Sequence, residues 1–188
     1  MTDKTIMRKV VLFIATSVDG YIAKPNDDLR FLKLVEKEGE DYGYAEFIAE
    51  VDTLLIGRRT YEYVCNEIGS TYYEQGDREV YVFTRTARPA AGKITFYSGK
   101  ITDLIEKLKS QPGKNIYCDG GAGVIHELLL HDLIDEMIIS VIPVLLGEGI
   151  RLFRDNRPEQ LLELVSAKTY ETGLTQLHYK RKREKEKF

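Results

Sequence analysis

The sequence predicts an α/β fold in which a doubly wound, mostly parallel sheet ends in an antiparallel hairpin. Short apolar segments alternate with helical patterns along most of the chain, and this alternation indicates parallel strands joined by crossover helices. Near the carboxyl end, the stretches LLELVSAKTY and LTQLHYK flank ETG, which is the pattern of a hairpin. A chain of 188 residues suits one domain. We expect that domain to span residues 1–188, with a charged tail from about 180 to 188.

The first half of the chain supplies three predicted strands and three predicted helices. Its first apolar run, VVLFIA, is too short for the apolar segment of a signal peptide, so it predicts a buried strand. The short apolar run before the GRRT motif predicts another buried strand, and the motif leads into a helix. The predicted strands are Val10–Ala15, Thr53–Ile56 and Glu79–Thr84, and the predicted helices begin at Leu29, around Tyr44 and at Thr60.

The second half continues the alternation up to the hairpin. Leu104, Ile105 and Leu108 have the i, i+3, i+4 spacing of an amphipathic helix. A strand is predicted over Asn115–Gly121, and a helix follows it. The apolar stretch MIISVIPVLLG predicts one long strand, although its Pro143 cannot donate a ladder hydrogen bond and so implies an edge position or a bend.

Composition excludes several classes of function. Hydrophobic residues make up 43% and charged residues 30% of the chain, as in soluble globular proteins. A formal net charge of -3 argues against a general nucleic-acid binder, and no stretch has transmembrane length. Cys65 and Cys118 form no C-x-x-C pair, so we expect no metal site and a reducing, cytoplasmic location.

Familiar catalytic motifs fail on spacing. HELLLH places its histidines at i, i+5, whereas the zinc motif H-E-x-x-H needs i, i+4; we expect His131 to be a helix C-terminal residue. GGAGVIH has His126 where a dinucleotide-binding G-x-G-x-x-G motif has its third glycine. The chain contains neither a G-x-x-x-x-G-K-[ST] phosphate loop nor a G-x-S-x-G nucleophile elbow.

Three strand ends carry residues that suit a ligand with phosphates. IGRRT, FTR and CDGGAG each follow a predicted strand, and ligands of open α/β sheets bind at the carboxyl ends of strands. Arg58 and Arg59 stand at a helix start, which already favours an anion. Gly120 and Gly121 let a backbone approach closely. Each feature alone also fits an ordinary turn with solvated arginines, but together they favour a dinucleotide such as NADPH.

The chain resembles the dihydrofolate reductase superfamily, especially the branch that includes the reductase domain of bacterial riboflavin biosynthesis. Five motifs carry the resemblance in the family's order and span nearly the whole chain. They are SVDGYIA (17–23), IGRRTYE (56–62), VFTR (82–85), YCDGGAGV (117–124) and IPVLLGEGIRLF (142–153).

The resemblance implies a cofactor site for NADPH. The end of the first strand and the following loop would cover the nicotinamide. The G-R-x-T helix start would hold cofactor phosphates, the residues after the next strand would contact the 2′-phosphate, and the Gly-Gly turn would pack against the pyrophosphate. The implied residues are Ala15, Asp19, Gly20, Ile22, Gly57, Arg58, Arg59, Thr60, Thr84, Arg85, Gly120, Gly121, Ala122 and Gly123.

On the substrate side, the resemblance points to Asp28, Phe31 and Ile22. DDLRFL places Asp28 where dihydrofolate reductases carry their catalytic acid, and Phe31 at the aromatic position. A carboxylate there can bind the amidine edge of a pterin or aminopyrimidine ring. The alternative is that Asp27 and Asp28 cap a helix. The absence of tryptophan and the presence of Arg30 depart from the folate-reducing pattern.

These observations predict an NADPH-dependent reductase of a pterin-, pyrimidine- or related heterocycle-like small molecule. The riboflavin-pathway reductase is the nearest enzyme alternative, and a non-catalytic NADP(H)-binding dimeric protein is the alternative outside enzymes. We expect a homodimer with a small-molecule substrate and with neither nucleic acid nor a membrane as a partner. The resembling branch commonly pairs through its sheet, and MIISVIPVLL would be costly as an exposed edge.

Overall fold

A ten-stranded framework forms the centre of the computed structural model, which describes residues 7–69, 71–74 and 77–183. Eight strands make one sheet, and two short strands pair separately as an antiparallel ribbon. The strands are β1 (Val10–Ser17), β2 (Tyr21–Ala23), β3 (Val51–Gly57), β4 (Glu79–Phe83), β5 (Ile94–Tyr97), β6 (Asn115–Gly120), β7 (Glu136–Ile142), β8 (Ile150–Arg151), β9 (Leu162–Thr169) and β10 (Thr175–Arg181).

The main sheet has the order β5-β4-β3-β6-β1-β7-β10-β9, and β2 pairs with β8. The six strands from β5 to β7 in this order run parallel, whereas β10 runs antiparallel to both β7 and β9. The predicted class, a doubly wound and mostly parallel sheet with an antiparallel C-terminal hairpin, is therefore confirmed.

Helices cover both faces of the parallel part of the sheet. One face packs against α3 and α4, and the other against α1 and α2. A 3-10 helix at Arg30–Val35 lies near the end of β7, where Phe31 and Val35 pack on Ile142 and Leu174. The α-helices are α1 (Tyr44–Ala49), α2 (Arg58–Glu67), α3 (Ile101–Lys109) and α4 (Ala122–Leu130).

Several strands differ from the predictions, among them the short strands β2 and β8, which were not predicted. The stretch predicted as one long strand stops at Ile142, directly before Pro143, so the proline marks a bend. This strand, β7, lies between β1 and β10, and the expectation that it could form an exposed edge is wrong. Strand β5 at Ile94–Tyr97 was not predicted, because four residues are too few to show a clear period.

The predicted charged tail also needs correction. Residues 180 and 181 belong to β10, and the backbone N–H of Lys182 donates to Leu161. Arg183 makes ion pairs with Asp132 at 3.2 Å and Asp135 at 2.7 Å. The remaining tail residues, 184–188, lie outside the described part of the chain.

Charges at the amino ends of the strands satisfy one another. The buried Arg8 guanidinium pairs with Asp52 and donates to the hydroxyl of Thr53 at 2.6 Å and to the carbonyls of Leu108 and Lys114. These contacts tie β1 and β3 to the loop between α3 and β6. The opposite edge, where the parallel strands end, is where the cavities lie.

Candidate active site

A large cavity of about 1280 Å³ opens at the carboxyl ends of β1, β3, β4 and β6. Parallel strands place these ends along one edge of the sheet, and such an edge is the usual ligand site of an open α/β fold. Helices α2, α3 and α4 each start beside it, so three helix N-termini contribute partial positive charge to its wall. This arrangement favours a ligand with several negative charges.

The starts of α2 and α4 are joined across the cavity wall. The backbone N–H of Gly121 donates to the Thr60 hydroxyl at 3.2 Å, and Gly121 is the N-cap of α4. A Cβ atom at Gly121 would lie 2.7 Å from that hydroxyl oxygen, which is closer than atoms can pack. A Cβ at Gly123 would meet nothing within 4 Å, so the first turn of α4 is open to a ligand.

Five cationic side chains line the same cavity. Arg58 pairs with Glu62 at 3.7 Å, and Arg59 pairs with Asp27 at 2.7 Å. The other three form no ion pair within the described residues. They are Arg85, Lys100 and Arg154. This excess of positive charge, set beside three helix N-termini, suits the separated phosphates of a dinucleotide.

Most of the residues implied by the resemblance come together here. The cavity is lined by the end of β1, by β2, by the start of α2, by the segment after β4 and by the Gly-Gly turn. The implied residues that line it are Ala15, Ile22, Gly57, Arg58, Arg59, Thr60, Thr84, Arg85, Gly120, Gly121, Ala122 and Gly123.

Asp19 and Gly20 are absent from the lining and have another position. The Asp19 carboxylate accepts hydrogen bonds from the Ser17 hydroxyl at 2.6 Å and from the backbone N–H groups of Leu146 at 3.1 Å and Gly147 at 2.7 Å. These donors lower its pKa to about 2, the Ser17 bond contributing most. Asp19 therefore stabilises the loop that leads into β2 and Ile22, and it does not contact the cavity itself.

Asp28 and Phe31 lie outside the lining of either cavity. The Asp28 carboxylate accepts the backbone N–H of Arg30 at 2.8 Å and pairs with the Arg30 guanidinium at 2.7 Å. These contacts lower the pKa of Asp28 to about 2. Its hydrogen bond from Arg30, the first residue of the 3-10 helix, favours the alternative weighed above, helix capping, although Leu29 holds the N-cap position. The substrate-binding role stays a prediction. Phe31 is buried in the core, where it supports neighbouring Leu32.

Asp119 is a cavity residue that sequence reasoning missed. It lies near the end of β6, where its two oxygens accept hydrogen bonds from the Tyr117 hydroxyl at 2.8 Å and the Tyr73 hydroxyl at 3.0 Å. Burial raises the pKa of Asp119 to about 6, although the hydrogen bonds from the two tyrosines act to lower it. The aspartate of CDGGAG was the signal available in the sequence. An acidic residue directly before a ligand-binding turn lies at the edge of the sheet where the ligand binds.

A second cavity of about 550 Å³ adjoins the first. Ala15 and Leu32 line both, so the two spaces meet beside the end of β1. The second space extends beneath the 3-10 helix and the loop up to Tyr42, and Ser140 of β7 lies at its floor. A dinucleotide in the large cavity would leave this smaller space for another molecule.

Other classes of site find no support in the described part of the chain. Within residues 7–69, 71–74 and 77–183, no helix combines the length and the apolar character that a membrane crossing needs. The same residues contain no group of three His, Cys, Asp or Glu side chains placed to hold a metal ion. His131 caps α4 as expected and also lines the large cavity.

Comparison with known proteins identifies relatives over almost the full length. A family model, the RibD C-terminal domain, matches residues 8–176. The protein YwjB of Bacillus subtilis strain 168 is 39% identical over 175 residues, which are 93% of this chain and 98% of that protein.

Solved structures with the same architecture include a bacterial protein assigned to riboflavin biosynthesis and a bacterial deaminase and reductase. A Shewanella sp. PV-4 protein assigned to that biosynthesis is 32% identical, with a TM-score of 0.81 over 93% of this chain and 99% of its own. A Thermotoga maritima protein is a deaminase and 5-amino-6-(5-phosphoribosylamino)uracil reductase. It shares the fold at 14% identity and a TM-score of 0.71, over 94% of this chain and 57% of that longer one. The architecture is thus dihydrofolate reductase-like.

Proposed function

Because the chain belongs to the RibD C-terminal domain family, we propose that it is an NADPH-dependent reductase of a pterin-, pyrimidine- or related heterocyclic small molecule. One observation carries this proposal: three helix N-termini and five cationic side chains surround a cavity that meets a second, smaller one at Ala15 and Leu32. A dinucleotide would occupy the first space, and a small ring would occupy the second.

Separate groups of residues would hold the cofactor phosphates. The open first turn of α4 and the start of α2 would bind the pyrophosphate through backbone N–H groups and the Arg58 and Arg59 guanidiniums. Thr84 and Arg85, which follow β4, would bind the 2′-phosphate. Ala15 and Ile22 would lie against the nicotinamide.

When bound, the cofactor supplies a hydride. The protein then has to hold the electron-poor carbon of the substrate in reach and give a proton to the nitrogen or oxygen that gains negative charge. Asp119 is the proton source in this proposal for a ring that reaches from the second cavity into the large one, because Asp119 lines the large cavity and a pKa of about 6 keeps part of its population protonated near neutral pH. Solvent would reprotonate it after each turnover.

The test follows NADPH absorbance with a panel of pterins, aminopyrimidines and small carbonyl compounds. We expect at least one ring compound to support oxidation. Binding of NADPH should be at least about ten-fold tighter than that of NADH, since hydrogen bonds to charged groups contribute about 1.5–3 kcal/mol each. Arg85→Gln should weaken NADPH binding and leave NADH binding unchanged. Equal dissociation constants for the two cofactors in titration calorimetry would contradict the NADPH assignment.

The same panel separates the enzyme from its alternative. NADPH binding without oxidation by any member would favour a non-catalytic NADP(H)-binding dimeric protein. We also propose that the protein acts as a homodimer in the cytoplasm, where its free thiols, Cys65 and Cys118, would stay reduced.

A further inference from the structure

The second cavity has an apolar wall of a size suited to one small ring. Side chains from β1, β7, the 3-10 helix and the turn before β10 form this wall. They are Phe13, Ala15, Leu32, Val35, Ile142 and Leu174. Ligand sites of this kind bury most of the ligand against apolar side chains and orient it with a few polar groups.

One polar group at its floor can orient a ligand. Ser140 is buried, and its hydroxyl oxygen accepts a hydrogen bond from the Gln176 side-chain amide at 3.1 Å. That amide also donates to the Tyr42 carbonyl at 3.0 Å, which fixes its orientation. The Ser140 hydroxyl hydrogen has no acceptor in the described residues, so it is free to donate to a carbonyl or ring nitrogen in the cavity.

The mouth of the cavity carries an excess of negative charge. Among the described residues, four carboxylates line it, at Glu36, Glu38, Glu40 and Asp41, against one cation, Lys37. Lys37 is already paired with Glu171 at 2.5 Å. Glu40 and Asp41 accept backbone N–H groups nearby, whereas the Glu36 and Glu38 carboxylates make no hydrogen bond or ion pair in the described residues.

We propose that this second cavity selects an uncharged or cationic ring without a phosphate group, an inference that rests on the proposed reductase function. The apolar wall and the Ser140 hydroxyl would bind the ring, and the four carboxylates would repel a phosphate at the mouth. In the large cavity, the proposed cofactor contacts would engage Arg58, Arg59 and Arg85. The preferred substrate then differs from the phosphoribosylamino compound in the name of the Thermotoga maritima reductase.

A matched ligand pair tests the inference. We would measure the affinities of 5-amino-6-ribosylaminouracil and its 5′-phosphate, with a pterin as a third ligand, for the full chain saturated with NADP⁺. The expected result is binding of at least one unphosphorylated ring, and at least ten-fold weaker binding of the phosphate than of its parent. The ratio of the two dissociation constants, phosphate over parent, should fall at least three-fold in the double variant Glu36→Lys with Glu38→Lys, because these exposed carboxylates line the mouth.

Two controls separate charge from fold and from ring binding. Glu106→Lys with Glu159→Lys makes the same change in net charge away from the cavity and should leave the ratio unchanged. Ser140→Ala should weaken the binding of all three ring compounds to a similar extent, and it should also leave the ratio of dissociation constants unchanged. Equal or tighter binding of the phosphate would overturn the inference, and so would binding of NADP⁺ without any ring compound. Failure of NADP⁺ itself to bind would instead contradict the proposed function.

Discussion

At the scale of single residues, the proposed chemistry depends on Asp119. If its protonated form donates, turnover should be highest below about pH 6 and fall at higher pH, because the pKa of Asp119 is raised to about 6 by burial. Asp119→Asn cannot donate in this way and should lower kcat about 100-fold or more, within the usual range of general acid catalysis. The measurement is kcat against pH for both proteins.

Tyr73→Phe is the matched variant for Asp119. It removes a hydroxyl that donates to the carboxylate at 3.0 Å and so stabilises the charged form. The pKa of Asp119 should rise, and the fall in turnover should move to higher pH while the maximum rate stays similar. A profile that does not move in Tyr73→Phe, together with an active Asp119→Asn, would remove Asp119 from the chemistry.

Asp28 provides a second prediction at this scale. Its carboxylate is engaged by the Arg30 backbone and guanidinium, and Asp28 is not among the residues that line either cavity. Asn can accept the same backbone hydrogen bond, so Asp28→Asn should keep turnover within about two-fold and change Tm little. A ten-fold loss of turnover with unchanged NADPH affinity would restore the substrate-binding role that the resemblance implies.

At the scale of elements, the Asp19 carboxylate ties the loop between β1 and β2 to the turn before β8. Asp19→Asn replaces one acceptor oxygen with a donor, so at least one bond to Leu146 or Gly147 should be lost. We expect faster amide exchange in residues 20–24 and 146–150 and faster NADPH release, because Ile22 of β2, which follows this loop, lines the cavity. Unchanged exchange and release would show that the pairing of β2 with β8 suffices.

The pH range of this contact follows from the lowered pKa of Asp19. A carboxylate whose pKa falls to about 2 in the folded protein contributes stability above its ordinary pKa, and that contribution is lost as pH falls towards 2. The contact should therefore be intact at pH 5–8. The pH dependence of kcat predicted for Asp119 therefore needs no correction for titration of Asp19.

Sequence patterns predicted most of the helices and strands, because the spacing of apolar residues and the motifs at strand ends are local signals. The cavity could be predicted as well, because parallel strands bring IGRRT, FTR and CDGGAG to one edge. The exposed edge was predicted wrongly because strand order is set by long-range pairing: β7 lies inside the sheet. Lys100 and Arg154 line the cavity without a motif, since only the folded chain brings them there.

At the scale of the whole molecule, the surface that suits a second copy is the outer strand of the hairpin. Strand β9 is the last of the sheet in the part of the chain that the structure describes, so one side of its backbone has no ladder partner there. Its apolar side chains are unusually exposed: Leu162 is 39%, Leu164 55% and Val165 44% accessible. Such an edge favours self-association, and we predict that the homodimer forms through β9 and β10.

Sedimentation at micromolar concentration tests this prediction. The wild-type chain should sediment as a dimer. Leu164→Glu with Val165→Lys should give a folded monomer, because burying two charges in the interface costs far more than leaving them in water. Ile68→Lys is the control, since Ile68 is 64% exposed at the end of α2 and on another part of the surface. The dimer surface is refuted if the wild type is a monomer or if the β9 variant still pairs. Loss of pairing in Ile68→Lys alone would place the contact at α2 instead.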